Sequence, residues 1–273
     1  MIAYRYTLAA LFLVLAACSQ APSLEVKSDD ELYSQAVLAG ATGFVYYVAH
    51  NPMAADPYRV FRYDQATDTI VQVYSGVKEI QSVAGTVDGD NVYVSMRETS
   101  SSSSDFEIYK ITSATTATKT TNNTVDDTNV SVSRNKSNNS IAWQSTNPNS
   151  NQYISVSFAN GGGVSFIGGD HSVQPSISGN GRYVVYIEKT SGAQAVKIYD
   201  TQANTFTQVF TNGSAFFKPS FSDPSTCNDA SKVVYLSSMF KGIGNISYSI
   251  RLYNRATNTI TTIVSRADFR ILI

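Results

Sequence analysis

Four stretches of the chain repeat one pattern: "RVFRYDQATDTIVQV" (59–73), "FEIYKITSATTATKT" (106–120), "VKIYDTQANTFTQV" (196–209) and "IRLYNRATNTITTI" (250–263). Each is an alternating strand that ends in Tyr, a polar turn, and a second alternating strand. A looser fifth, "YISVSFANGGGVSFI" (153–167), carries Ser157 where the others carry Tyr. Tyr63, Tyr109, Ser157, Tyr199 and Tyr253 lie 46, 48, 42 and 54 residues apart. Upstream of each sits another apolar strand: "GFVYYVAH", "NVYVSMRE", "SIAWQST", "RYVVYIEK" and "KVVYLSSM". A short segment and a turn precede several of these, which makes four strands per unit, here lettered A to D. One such sheet cannot bury both faces alone, and radial stacking of successive sheets solves this, so the period predicts a β-propeller.

The predicted fold is therefore all-β, with four-stranded antiparallel blades. Five units are legible, and a truncated six-bladed ring is the alternative, with "RADFRILI" (266–273) either a closing strand or the stump of another blade. The single Trp, Trp143, reads as packing between blades rather than as a platform for a ligand. The Pro175-Ser176-Ile177-Ser178 entry, Gly181, Tyr186 and the Tyr199-Asp200 pair resemble the TolB-type, WD40-like repeat of bacterial envelope proteins. Pro219, Ser220, Ser222, Tyr235, Tyr253 and Asn254 repeat these features. The resemblance implies architecture and is nearly silent on function.

The chain opens "MIAYRYTLAALFLVLAACSQ". Its apolar run is too short for a permanent span and matches the core of a secretory signal. Leu15-Ala16-Ala17-Cys18 resembles a bacterial lipobox, which implies removal of residues 1–17 and lipidation of Cys18. An ordinary signal peptide with a chance cysteine is the other reading. Ser19 after the cysteine resembles an outer-membrane sorting position, which implies a cell-envelope location, anchored by lipid in the outer membrane. Residues 18–35 read as a tether, with a possible helical turn at "SDDE", and residues 36–273 as the propeller.

Without residues 1–17 the chain holds 19 basic and 21 acidic side chains. Nothing in this balance suggests nucleic acid, for which a basic stripe would be expected. Charged residues are 15% of the chain against roughly 25% in typical soluble domains, and Ser, Thr, Asn and Gln take their place. With Cys18 acylated only Cys227 remains, so packing and not a disulfide must hold the domain.

The sequence contains no catalytic constellation. Two histidines, His50 and His171, do not make a zinc site, and neither a metal nor another cofactor is expected. "DGDN" (88–91) reads as a hairpin turn rather than a calcium loop. The expected role is non-catalytic: a monomeric binding or scaffold module for a protein or glycan partner. The alternative is a carbohydrate-active enzyme with carboxylates such as Glu98 and Glu188 on the channel face. C–D turns are short and alike, whereas the B–C connections differ in length and chemistry. Those connections, residues 50–58, 97–105 (with the run Ser100–Ser104), 145–152, 189–194 and 238–247, are the expected binding loops. His50, Arg97, Lys189, Met239 and Phe240 are the candidate contact residues.

Overall fold

The computed structural model describes residues 44–51, 53–98, 104–134, 139–146, 152–157, 164–190, 193–211, 219–226, 229–240 and 245–270. They form nineteen strands in five antiparallel sheets. The first sheet is β1 (Phe44–His50), β2 (Tyr58–Asp64) and β3 (Thr69–Gly76). The second is β4 (Glu79–Gly85), β5 (Val92–Arg97), β6 (Glu107–Ile111) and β7 (Ala117–Lys119). The third is β8 (Asp126–Val132), β9 (Ile141–Thr146), β10 (Gln152–Ser157) and β11 (Val164–Ile167). The fourth is β12 (Ser172–Ile177), β13 (Tyr183–Thr190), β14 (Ala193–Asp200) and β15 (Thr205–Thr211). The fifth is β16 (Pro219–Thr226), β17 (Lys232–Phe240), β18 (Asn245–Asn254) and β19 (Thr259–Arg270).

Within every sheet the strands lie in chain order. Four blades have the expected A–D arrangement. The first sheet has only its B, C and D strands among the described residues. Residues 266–270 do not stand apart as a separate strand: β19 runs on to Arg270, which pairs with Asn245. Cys18, residues 1–35 and Cys227 lie outside the described residues.

The apolar core is divided among the seams between blades, as radial stacking requires. Val60 and Tyr74 of the first blade pack with Val94, Met96 and Tyr109 of the second. Tyr93 and Ile108 meet Val130, Ile141 and Trp143 at the next seam. Ala142, Ile154 and Val156 meet Ile177, Val184 and Tyr186. Finally, Val185, Ile187 and Val196 meet Val233, Tyr235 and Tyr253. Trp143 is thus a packing residue. Full burial of one such side chain contributes roughly 1.5–3 kcal/mol.

Two local devices explain the repeat. In the C–D turns the anchor tyrosine donates its hydroxyl to an Asp or Asn five residues on: Tyr63 to Asp68 (2.8 Å), Tyr199 to Asn204, and Tyr253 to Asn258 (3.2 Å). Those acceptors have φ of 53°, 55° and 53°, a left-handed conformation that Asp and Asn tolerate best among non-glycine residues. The residue after each tyrosine caps the turn, Asp64 accepting from the Ala66 amide and Asp200 from those of Gln202 and Ala203. In the A–B turns a hydroxyl bonds both ends. Ser178 Oγ accepts from the Tyr183 amide (2.9 Å) and donates to Asn180 (2.6 Å), with Gly181 at φ 71°. Thr86, Asp88, Gly89 and Asn91 repeat this arrangement, so "DGDN" is the hairpin turn it was expected to be.

A third device joins blades. Each described A strand is broken by a bulge. Beside two of these bulges, an inner-strand serine accepts an amide from the next blade. Ser82 Oγ takes the Val130 amide (3.2 Å) and Ser131 Oγ takes that of Ile177 (3.1 Å).

Candidate functional site

The antiparallel order places A–B and C–D turns on one face of the stacked sheets and B–C and D–A connections on the other, here the turn face and the rim face. His50 and Arg97 both stand on the rim face, on adjacent blades. His50 ends β1 and stacks on Tyr58, its partner at the start of β2, with ring centroids 4.4 Å apart and 21° between planes. Arg97 ends β5 and bonds Glu79 at 2.7 Å, with its guanidinium 4.6 Å from the centroid of Phe106. Burial raises the Tyr58 phenol, with Glu79 adding to the rise and Arg97 opposing it, so the two blades share one electrostatic neighbourhood. Lys78 bonds Glu98 at 2.8 Å and sits 4.5 Å from the Tyr109 centroid. Burial alone would lower the Lys78 ammonium, but its bonds to Glu98 and Tyr109 outweigh that and raise it.

The remaining expected contact residues do not sit on long loops. β13 extends to Thr190 and β14 begins at Ala193, so Lys189 is a strand residue paired with Gln194, its amide bonded to the His171 carbonyl at 3.0 Å. Met239 and Phe240 are likewise strand residues, paired with Ser247 and Ile246. Polar sequence near a hairpin tip predicts a loop, whereas the ladder continues because backbone pairing ignores side-chain polarity. The 50–58 connection does loop out, closed by the Asn51 amide to Pro57 carbonyl bond (2.8 Å), with Met53 95% exposed.

Glu98 is paired with Lys78, and Glu188 is held by Lys197 at 2.5 Å. Each carboxylate is neutralised within its own blade. Sequence reasoning missed a second acidic pair at the seam of blades two and three, Glu107 and Asp127, 2% and 0% exposed. Glu107 accepts from Thr121 and the Asn123 amide and pairs with Lys119 at 3.0 Å. Asp127 accepts from Ser145 (2.6 Å) and Asn123 Nδ2 (2.9 Å), and burial raises its carboxyl. These oxygens are committed to closing the seam.

The turn face carries a cleft of about 480 Å³ between blades four and five. Its walls are the A–B turn of blade four (Asn180, Arg182, Tyr183) and two turns of blade five (Asp229, Ser231, Arg255, Ala256). The Arg182 fork grips Asp200, with Nη2 to Oδ2 at 2.6 Å, and this grip, above all, holds the Asp200 carboxyl down at about 2.

Antiparallel sheets stacked seam to seam find counterparts among solved structures. The fold is that of a TolB-like β-propeller. TolB from Acinetobacter baumannii superposes with a TM-score of 0.59 at 16% identity, over 89% of this chain and 61% of that one. The putative TolB from Agrobacterium tumefaciens gives 0.57 at 12% identity, over 82% of each chain. A chain of the nidogen–laminin complex gives 0.50 at 9% identity, over 83% of this chain and 94% of that one. The chain thus spans less than two thirds of the Acinetobacter TolB. No protein-family model and no curated protein matches the sequence.

Proposed function

We propose that this TolB-like propeller is a non-catalytic binding module, tethered to the bacterial outer membrane through lipidated Cys18, whose rim face holds a protein partner. One observation supports the rim above all. The stacked His50–Tyr58 pair and the Arg97–Glu79 ion pair form a preorganised aromatic and charged surface across two blades. Aromatic rings and arginine are the side chains that most often anchor a protein interface. Lys189, Met239 and Phe240 occupy strand-end positions on the same side of blades four and five. That one structure of similar fold belongs to a nidogen–laminin complex favours a protein as the partner.

The test is a pull-down from solubilised envelope with wild-type protein, Arg97→Ala and His50→Ala. Loss of a retained protein in both variants, at unchanged melting temperature, supports the rim. Retention of the partner by both variants overturns it, and turnover of a defined oligosaccharide overturns the non-catalytic reading. Cys18→Ala is expected to abolish lipid labelling and to release the protein or leave its precursor.

A further inference from the structure

One position of the C–D turns changes from blade to blade, and in blade five it lines the turn-face cleft. The position after the Tyr-Asp/Asn pair is Gln65 in blade one, Thr201 in blade four and Arg255 in blade five. Its backbone role is the same in the last two: the Thr201 amide bonds the Arg182 carbonyl at 2.9 Å and the Arg255 amide bonds that of Ser231 at 2.8 Å. The side chains diverge. Thr201 turns its hydroxyl back to the Arg182 carbonyl (2.8 Å), a local turn bond. Arg255 instead crosses the seam and lays its guanidinium 4.4 Å from the centroid of Tyr183 in blade four.

Turn construction accounts for the backbone of Arg255 but not for its side chain. Arg182 has a bidentate carboxylate partner in Asp200. Among the described residues the Arg255 guanidinium has its ring contact and no ion pair. Five N–H donors in a rigid fork, 4.4 Å from the centroid of a buried ring at the wall of a cleft, match a carboxylate in geometry and charge. Asp200 is already neutralised by Arg182, and Asp229 is the one carboxylate among the lining residues. A carboxylate ligand adds a single negative charge beside it, a phosphate up to two.

We propose that the cleft between blades four and five binds an acidic side chain of an extended partner segment, with Arg255 as its anchor. This site is on the opposite face from the rim and does not depend on the rim reading.

The experiment is fluorescence anisotropy on the intact domain with a labelled peptide containing tandem Asp and Glu, both ends blocked. Controls are the Asn/Gln version of that peptide and an uncharged peptide with a free C-terminus. Saturable binding of the acidic peptide is expected, weakened at least tenfold by Arg255→Ala and by Arg255→Met, which keeps the stem over Tyr183. Arg97→Ala is expected to bind as wild type. Equal affinity of the Asn/Gln peptide, undiminished binding by Arg255→Met, preference for the free C-terminus, or competition by inorganic phosphate as strong as by free acidic peptide overturns the assignment. Loss with Arg97→Ala but not with Arg255→Met also overturns it, and moves acidic recognition to the rim.

Discussion

The turn face is built by the same few bonds over and over, a tyrosine hydroxyl to a left-handed Asp or Asn and a Ser or Thr hydroxyl spanning an A–B turn. Among the described residues the rim face shows no such recurring bond: an Asn51–Pro57 backbone bond closes the connection of the first blade, and an Arg97–Glu79 pair ties the ends of β5 and β4 in the next. Recurring chemistry marks what every blade needs in order to fold. Chemistry that occurs once is free to serve something else, and that holds on either face, since Arg255 is the singular residue of the repetitive one.

The sharpest way to break this contrast is at a rim-side residue that belongs to the architecture. Asp127→Ala removes the acceptor of the buried Ser145 hydroxyl, which keeps Ser155 as a second partner, and of the Asn123 amide, which water can reach; one disturbed buried group costs about 1–3 kcal/mol. A loss of about 2 kcal/mol in urea unfolding is expected, with Asp127→Asn losing less because it keeps an acceptor. A loss below 1 kcal/mol for the alanine variant means that the seam is not closed by this network.

The turn motif comes next. Asn204→Ala removes the acceptor of the Tyr199 hydroxyl and puts a β-carbon residue at φ 55°, a conformation costing about 1–2 kcal/mol. Asn204→Gly relieves the backbone but not the bond, so it is expected to fall between wild type and alanine. Equal melting temperatures for all three remove the motif from the account of the repeat.

Acid sharpens the same point. Asp200 titrates at about 2 when folded, held down chiefly by Arg182, against about 3.9 for a free Asp. Its stabilising contribution is present above pH 3.9 and is lost as pH falls toward 2. Chemical denaturation across that window is expected to show a shallower loss in Arg182→Met than in wild type. The smallest effect belongs to the rim: Arg97→Ala breaks a half-exposed ion pair worth below about 1 kcal/mol. It should hardly move the melting temperature, whatever it does to binding.

The turn motif was visible in the sequence because its partners are five residues apart, so the tyrosines stood in register before any sheet was drawn. Glu107 and Asp127 were not visible. Their bonds depend on where a D–A connection crosses a seam, which no local pattern encodes. Lys189, Met239 and Phe240 were read as loop because Ser, Gly and Lys surround them, yet those hairpins stay paired almost to their tips. Arg255 carried a signal that uniform turns concealed, a long cation in "RATN" where "QATD" has a glutamine and "TQAN" a threonine. The first blade's B, C and D strands were all legible.

The serine bonds along the inner strands have a consequence for how such a ring grows. Ser82 serves an amide 48 residues ahead and Ser131 one 46 ahead, nearly the interval at which the blades themselves recur. Across these two seams, a segment of that length carries one hydroxyl that accepts from the blade ahead and one amide accepted by the blade behind. A tandem duplication in the coding sequence would deliver a blade with both of its inner joints already matched. Loss of a whole unit would bring the two remaining neighbours together on the same terms. Blade number in such a chain can change in single genetic steps without a new joint having to be invented.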